Sequence, residues 1–549
     1  KGVIHPVSSR PYLEANALVS SLETPNIQVA YKDNTERTVF ARSCAVEHEV
    51  IARIPWSRVI TVKQARETPL GRIAQTLPET KGIDLISCWL VTAYLSKGRQ
   101  GSENAELFMR TLPTINDLRH IPAFWSKEDM DSLAGSHVGR AAIKRNVKCS
   151  QYARNLIKAC EACELDSACT PTPELWRWAN TLAKSRTFTV PNFNSKQFDE
   201  EFPWGCCLGE YTDDEEPDFG GPEDDLLIMV PLADMVNHRY AYDGDESATC
   251  EWGLQRDSGD FVIRSVCNIE SGDELSMSYG SLTSPASLIN YGFVPNKPAH
   301  WYASSDFEYT VLNLQIDDLL GLETQGRGGS KMPDEEPLLL RAQRSESGAA
   351  QKKVLWMRDE RDFTKFGWAT GARELRIGVG NVGSGTTLLS LLRLIVMTPM
   401  ELEGVVGEDD EGGTEDDELE PAGGLVRDPI SLRNEVSAMK LLHAVVDQHL
   451  EKFPNSLEFD LALIATGTLQ DGTEISENQL NGLRIVVGEK RVLEHLKAIS
   501  LMALKYLDAA KSSFNGGLYY PVFLETLLQA PSGLKTEDVS MFDPSDFID

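Results

Sequence analysis

Short runs of β-forming residues open the chain at Ile27 to Tyr31, Val39 to Ala41 and Val50 to Ile54, with polar turns between them. This spacing predicts a small antiparallel sheet. From Pro69 to Ala183 the period changes: Ile83, Leu85, Ile86, Trp89, Leu90, Ala93 and Tyr94 recur at mixed three and four spacing, which predicts helices. Strand signals return at Leu226 to Val230, Thr249 to Gln255, Phe261 to Ser265 and Glu274 to Tyr279, with Arg256-Asp-Ser-Gly-Asp260 as the turn joining the middle pair. Beyond Pro298 the pattern is helical again. Leu432, Val436, Met439, Leu442 and Val445 line one face, and Leu493, Leu496, Ile499 and Ala503 another. No repeat at a solenoid period is evident.

Two segments interrupt this order. Residues 192–225 are acidic and rich in Gly and Pro, with Asp213, Asp214, Glu215 and Glu216 in one run, and read as a solvated insertion. Glu408 to Glu420 is nearly all Asp, Glu and Gly, too polar to pack, and is expected to be disordered within a loop over about 402–424.

The 549 residues exceed what one core of about 250–300 residues accommodates, so at least two domains are expected. With 41% apolar residues the chain can bury them. Lys and Arg number 53 against 83 Asp and Glu, a formal charge of −30. That sign repels phosphate backbones and anionic lipid, and suits a basic protein as partner. The longest apolar run, Leu388 to Met397, holds Arg393 and falls short of the roughly 20 residues of a membrane span. No nucleic acid and no membrane are therefore expected.

Ten scattered cysteines, Cys206 and Cys207 adjacent, do not make a disulfide framework and fit a reducing intracellular compartment: cytoplasm, nucleus or plastid. Cys160, Cys163 and Cys169 contain one CxxC step with no fourth ligand at zinc spacing, and read as reduced helical thiols. The nine histidines are dispersed, so no metal is expected.

Gly378-Val-Gly-Asn-Val-Gly383 matches the dinucleotide turn GxGxxG. A second parallel strand should follow it, but Thr398-Pro399 stops the helix and an acidic loop comes next. It reads as a glycine-rich loop before a helix. The richer block lies between Val230 and Phe293: Pro231-Leu-Ala-Asp-Met-Val-Asn-His238, Glu274-Leu-Ser-Met-Ser-Tyr-Gly280 and Asn290-Tyr-Gly-Phe293. Asn237 and His238 at a strand end need polar partners, from the backbone or from a ligand. Tyr279 reads either as a satisfied core tyrosine or as a site residue.

Together these segments resemble the SET-domain protein methyltransferases, in the branch of the Rubisco large-subunit lysine methyltransferase and its actin-histidine methyltransferase relatives. Arg37-Thr-Val-Phe-Ala-Arg42 and Glu49-Val-Ile-Ala-Arg-Ile-Pro55 resemble the opening strands of that family. Phe124 to Ser136 resembles its helical insert, and Ser185-Arg-Thr-Phe188 precedes the Asn-His block as it does there. Leu388 to Thr398, Asn434-Glu-Val436 and Leu483-Arg-Ile-Val-Val-Gly-Glu-Lys490 resemble its C-terminal substrate-binding domain.

The resemblance implies an α+β chain. A SET-domain β-fold over about 18–300, split by a helical insert at about 66–183, would be followed by an all-α substrate-binding domain over about 301–530. It implies S-adenosyl-L-methionine as cofactor, held by the backbone at Thr35 to Arg37 and at Asn237 and His238, with Arg186 near its carboxylate. Tyr279 matches the catalytic tyrosine, while Ser185, Asp234 and Tyr291 match positions lining the channel for the target side chain. Thr38 stands where the family has glycine, and a Cβ there crowds the cofactor only if the backbone is left-handed or pressed against it. Ser284-Pro285 also replaces a family Asn.

The chemistry needs alignment and a neutral amine, which an apolar channel beside a sulfonium favours. Lysine methylation of a folded protein substrate by a monomeric enzyme is the expected activity. Histidine methylation and a catalytically silent docking module are the alternatives.

Overall fold

The computed structural model describes residues 10–22, 24, 26–32, 36–96, 103–190, 227–239, 247–255, 259–280, 282–295, 309–315, 372–378, 382–398, 401, 429–469, 471–510, 519–530, 534–535 and 537–544. Thr35 and the acidic segments at 192–225 and 402–424 lie outside them. Two compact units emerge: Lys1–Trp125 with Ala141–Phe293, and Ser126–Arg140 with Val294–Asp549. Residues 126–140, inside the predicted helical insert, thus group with the second unit.

The first unit opens with α1 (Arg10–Ser21), β1 (Ile27–Lys32), β2 (Glu36–Ala41), β3 (Val50–Ile54) and β4 (Ile60–Thr61). The expected helical block follows as α2 (Val62–Glu67), α3 (Pro69–Ala74), α4 (Gly82–Leu95), α5 (Glu103–Thr111), α6 (Lys127–Asp131), α7 (His137–Ala162) and α8 (Pro173–Arg186), of which α6 and the first turn of α7 fall in the second unit. Capping explains several starts. Thr61 accepts from Gln64 N–H while the Gln64 side chain returns to Thr61 N–H, and Thr172 caps α8 ahead of Pro173. Then come β5 (Thr187–Thr189), β6 (Leu227–Met229), β7 (Asn237–His238), β8 (Cys250–Leu254), β9 (Phe261–Ser265), β10 (Glu274–Met277) and α9 (Ser284–Tyr291).

These strands build a seven-stranded sheet in the order β1-β2-β10-β8-β9-β3, with β7 pairing β10, and a three-stranded sheet β4-β6-β5. The hairpin predicted about Arg256 to Asp260 is the antiparallel β8–β9 pair, Cys250 facing Ser265 and Leu254 facing Phe261. β10 receives β2 antiparallel and both β7 and β8 parallel. The predicted strand to Tyr279 stops at Met277. Among the described residues β7 pairs with β10 at two positions, Asn237 with Ser276 and His238 with Met277. Cys160 is buried in α7 as expected, but α7 ends at Ala162, so Cys163 and Cys169 lie beyond that helix. Among the described residues no metal-holding group of His, Cys, Asp and Glu occurs, and no helix is long and apolar enough to cross a membrane.

The second unit is helical, with one addition to the expectation. Strands β11 (Tyr309–Gln315) and β12 (Ala372–Gly378) pair antiparallel, Tyr309 opposite Gly378. Residues 316–371 separate them in sequence, so no short turn signals the pair. β12 runs into the Gly-rich loop, and its described partner is antiparallel, unlike a dinucleotide βαβ unit. The helices are α10 (Val382–Val396), α11 (Leu432–Leu450), α12 (Leu457–Thr466), α13 (Glu477–Ala509), α14 (Tyr519–Leu528) and α15 (Asp538–Met541). Met439, Leu442 and Val445 of α11 and Leu493, Leu496, Ile499 and Ala503 of α13 are buried in one core with Leu388, Leu392 and Ile395 of α10.

Charges are buried within this helical unit in matched sets. Arg393 donates to both carboxylate oxygens of Glu435, and Asn434 Nδ2 donates to Arg393 O at 3.1 Å. Lys490 donates to Asp460 Oδ2 and to Asn455 O. Glu489 accepts from Ser136 Oγ, from the His137 backbone N–H at 3.2 Å and from Thr310 Oγ1 at 3.5 Å, and lies 3.1 Å from His137 Nδ1. Gly482 lets α13 close on Ser132, whose Oγ would be 1.9 Å from a Cβ.

Burial raises the Glu489 carboxyl, but His137 and the hydrogen bonds from Ser136 and the His137 backbone outweigh it and hold the pKa below the ordinary value. Its folded pKa being depressed, this stabilisation is complete above the unfolded carboxylate value near ~4.3 and is lost as pH falls through the lower folded value. Glu489→Ala should cost about 3–5 kcal/mol, since Ser136, His137 and Thr310 lose a buried acceptor. Thermal melts of wild type and variant should keep a constant gap from neutral pH to about pH 5 and draw together only as pH is taken below ~4. A gap still constant at the lowest pH would contradict this account.

Candidate active site

A sharp bend of the first unit lies between β6 and β7. Leu232 has φ 79° and ψ −47° and is fully buried. A β-carbon in that region costs about 1–3 kcal/mol and persists only where the surroundings fix it. The bend turns Asp234 inward, with its N–H donating to Val230 O at 3.1 Å. Arg186, the last residue of α8, donates through Nη1 to Asp234 O at 2.6 Å and to Asp234 Oδ2 at 2.8 Å. Asp234 Oδ1 is buried with no hydrogen-bond partner among the described residues. The sequence resemblance distributes Arg186 and Asp234 between cofactor and channel, whereas in the structure they form one ion pair.

β7 follows at once, with Asn237 opposite Ser276 and His238 opposite Met277. Tyr279, two residues past β10, is tied to this turn twice. Its N–H donates to His238 Nδ1 at 3.0 Å and its hydroxyl donates to Val236 O at 2.6 Å. Accepting at Nδ1 assigns the neutral His238 proton to Nε2. The Tyr279 ring lies 5.1 Å from His238 and 5.0 Å from Tyr291, and Phe293 stands 6.1 Å from His238 and 6.2 Å from Tyr291. The core-tyrosine and site-tyrosine readings thus merge: a half-buried ring with a fixed hydroxyl, in an aromatic cluster.

Tyr291 is set by the end of α9. Thr283 caps that helix ahead of Ser284-Pro285, so proline occupies a first-turn position that suits it. Gly292 ends it with φ 80°. A Cβ there would lie 2.4 Å from His120 Cδ2 and 2.7 Å from His120 O.

A carboxylate that the sequence reading passed over organises the opposite side. Glu274 Oε1 accepts from Thr38 Oγ1 at 3.0 Å and from Asn237 Nδ2 at 3.3 Å, and Oε2 lies 3.5 Å from Arg239 Nη2. Thr38 is fully buried in the extended strand β2 and is not among the positive-φ residues, so its Cβ carries no backbone strain. Arg37 donates from Nη1 to Thr111 O on α5, and Ser185 Oγ donates to Leu182 O of its own helix at 3.4 Å. Neither is bonded to the Tyr279 cluster in the contacts above. Leu232, Glu274 and Phe293 complete the site. Glu274 and Phe293 stood inside quoted motifs, but only three-dimensional neighbours reveal their roles; nothing in the sequence signalled the φ of Leu232.

The fold has known counterparts. The sequence profile of the family described as Rubisco LSMT substrate-binding matches residues 344–493. The chain is similar to the structure of Rubisco LSMT bound to AdoMet, with a TM-score of 0.57 and 15% identity over 94% of this chain and 99% of that one. It is similar also to the SET domain of LSMT bound to lysine and AdoHcy, with a TM-score of 0.56 and 15% identity over 93% and 98%. Among curated proteins it is 22% identical to the N-lysine methyltransferase setd6 of Xenopus laevis, over 84% of this chain and 90% of that protein. To the protein-lysine N-methyltransferase EFM1 of Saccharomyces cerevisiae it is 21% identical over 50% of this chain, spanning 46% of the yeast protein. The fold is that of the SET domain. Residues 344–493 carry the match to the Rubisco LSMT substrate-binding family.

Gly292→Ala should be among the most damaging single-methyl additions in the first unit, because it meets both a left-handed backbone and the His120 main chain. A loss of at least about 1 kcal/mol from the backbone alone is expected. Thr38→Val removes one donor from Glu274 and should cost about 1 kcal/mol. Chemical denaturation of both variants checks the order of the two effects.

Proposed function

We propose that this chain is an S-adenosylmethionine-dependent protein-lysine N-methyltransferase acting on a folded protein. The observation that carries the reading is the double tie of Tyr279 to Val236 O and His238 Nδ1, which fixes the tyrosine beside the Asn237-His238 strand. The fold, the substrate-binding profile and the lysine methyltransferase relatives support it.

The residues present fit the cofactor. Asp234 Oδ1, buried and unmatched, suits a cationic donor, and Arg186 beside it suits a carboxylate. Main-chain groups of Asn237, His238 and Arg37 would hold the rest; Thr35, the other expected contact, lies outside the described residues. The Glu274 bonds to Thr38 and Asn237 brace those two strands.

When bound, S-adenosylmethionine supplies a sulfonium methyl for in-line transfer to an amine. The chain contributes position and medium. The rings of His238, Tyr279, Tyr291 and Phe293 exclude water and disfavour the ammonium form of a lysine entering among them. The Tyr279 proton is committed to Val236 O, so toward a substrate its oxygen acts as an acceptor that orients the amine and the methyl C–H groups. Ser185 and Tyr291 line the approach. Asp234, already paired with Arg186, braces the bend rather than removing a proton. The second unit docks the protein substrate. A net charge of −30 steers a basic one toward a monomeric enzyme.

Tyr279→Phe should abolish most methyl transfer while leaving S-adenosylmethionine affinity within about twofold and costing about 1 kcal/mol of stability. Arg186→Met should instead weaken cofactor binding, by about tenfold or more. Calorimetric titration with the cofactor, and mass spectrometry of cell extract incubated with each variant, separate the two. Full activity in Tyr279→Phe, or transfer to histidine rather than lysine, would overturn the reading.

A further inference from the structure

Helix α12 of the second unit is built inside out. Its sequence, Leu457-Glu-Phe-Asp-Leu-Ala-Leu-Ile-Ala-Thr466, is apolar but for Glu458, Asp460 and Thr466, yet its one buried residue is Asp460. A helix that is apolar on nearly every side ordinarily lies inside a core. Here Leu457, Phe459, Leu461, Leu463 and Ile464 do not join the buried core shared by α10, α11 and α13, and Leu461 is 37% exposed. Leu457, Leu461, Ile464 and Ala465 share one face at helical spacing.

Charge, rather than apolar packing, anchors this helix. Asp460 accepts from Lys490 Nζ of α13 and, at Oδ1, from Asn455 Nδ2 at 3.1 Å, while Lys490 also donates to Asn455 O at 2.7 Å. Gly467 ends the helix with φ 65°, and the chain doubles back at once: Leu469 N–H donates to Thr473 O at 2.8 Å and Ile475 N–H to Gly467 O at 2.9 Å. Leu469, 39% exposed, stands on that turn. Exposed carboxylates border these apolar residues, Glu458 within the helix and Asp471 and Glu474 in the turn, and none of the three makes an ion pair among the described residues. Hydrogen bonds from its own backbone and Ser456 hold the Glu458 pKa below the ordinary value, and those from Thr473 do the same for Asp471, so both are charged at neutral pH.

We propose that α12 and the turn at 467–475 form a docking surface for a basic amphipathic segment of a protein partner. Its apolar side chains would cover Leu461, Ile464 and Leu469, and its Lys and Arg residues would meet Glu458, Asp471 and Glu474. An apolar patch rimmed by charge of one sign calls for that combination. A second copy of the chain fits worse, because a two-fold contact would set these carboxylates against their own equivalents, in two chains of net charge −30 each. The binding stands whether or not the partner is methylated, so its test needs neither cofactor nor methyl transfer.

Fluorescence anisotropy of the full chain with a labelled amphipathic helical peptide of Leu and Lys should show saturable binding. A Lys/Ser peptide of the same charge measures the general pull of an acidic protein and should bind at least about tenfold more weakly. A Leu/Glu peptide of the same pattern should not bind. Leu461→Ser with Leu469→Ser should weaken the Leu/Lys peptide about tenfold or more, whereas Val522→Ser, at a 60% exposed position of α14, should leave it unchanged. The melting temperature of the leucine double variant should stay within about 2 °C of wild type, since neither side chain belongs to a core. Glu458→Gln with Glu474→Gln, which removes charge alone, should weaken binding about threefold and flatten its salt dependence. No saturable binding, equal binding of the Lys/Ser or Leu/Glu peptide, unchanged affinity in either double variant, or a large fall in melting temperature overturns the proposal. So does a wild-type dimer in sedimentation that the leucine double variant dissolves, which assigns the face to a second copy.

Discussion

A four-residue strand must satisfy its backbone from segments far apart in sequence, and the first unit of the protein is arranged around that need. Glu274 and Leu275 of β10 pair with Phe40 and Val39, while Ser276 and Met277 pair with Asn237 and His238, and Met277 also with Cys250. Buried peptide groups cannot stay unpaired, so β10 holds together strands separated by about two hundred residues of insert and loop. Two residues past the last β10–β7 pair, the His238 imidazole accepts the Tyr279 N–H. The candidate catalytic tyrosine thus stands where side-chain hydrogen bonding replaces strand pairing.

The same strand supplies the side chain that compensates for an unusual residue. A glycine at position 38 would leave room at the opening strand; this chain has a buried threonine. Its hydroxyl reaches Glu274, which in turn accepts from Asn237. The extra Cβ sits in extended backbone, and the extra hydroxyl links β2 to β7 through a carboxylate. The network ties the expected cofactor turn to the Asn-His strand, an addition rather than a defect. The strained Leu232 belongs to the same economy of space: only so tight a bend brings Asp234 back to Arg186 while β7 continues into the sheet.

In the second unit, buried charges select a unique packing. Each of the three apolar runs resembling the substrate-binding family carries a charge into the core: Arg393, Glu435, and the adjacent Glu489 and Lys490. Arg393 meets Glu435, Lys490 meets Asp460, and Glu489 meets Ser136 and His137. Removing one partner of such a set leaves a desolvated charge, which penalises every alternative register of the helices. Gly482 permits the close approach of α13 to Ser132 that brings Glu489 within reach of Ser136.

The strands from Ile27 to Ile54 and from Leu226 to Met277, the helical faces of α4, α11 and α13, and the Asn237, His238, Tyr279 and Tyr291 quartet were legible because periodicity and motif are properties of neighbours in sequence. The end of β10 at Met277, the ribbon of β11 with β12, and the assignment of Ser126–Arg140 to the second unit were not, since each depends on a partner strand or helix at long range. For the same reason the roles of Glu274, Leu232 and Phe293 were decided only by tertiary structure. A carboxylate or a guanidinium has its ordinary surface meaning in sequence, and acquires another only when folding removes water and brings a partner, or a like charge, within a few ångströms.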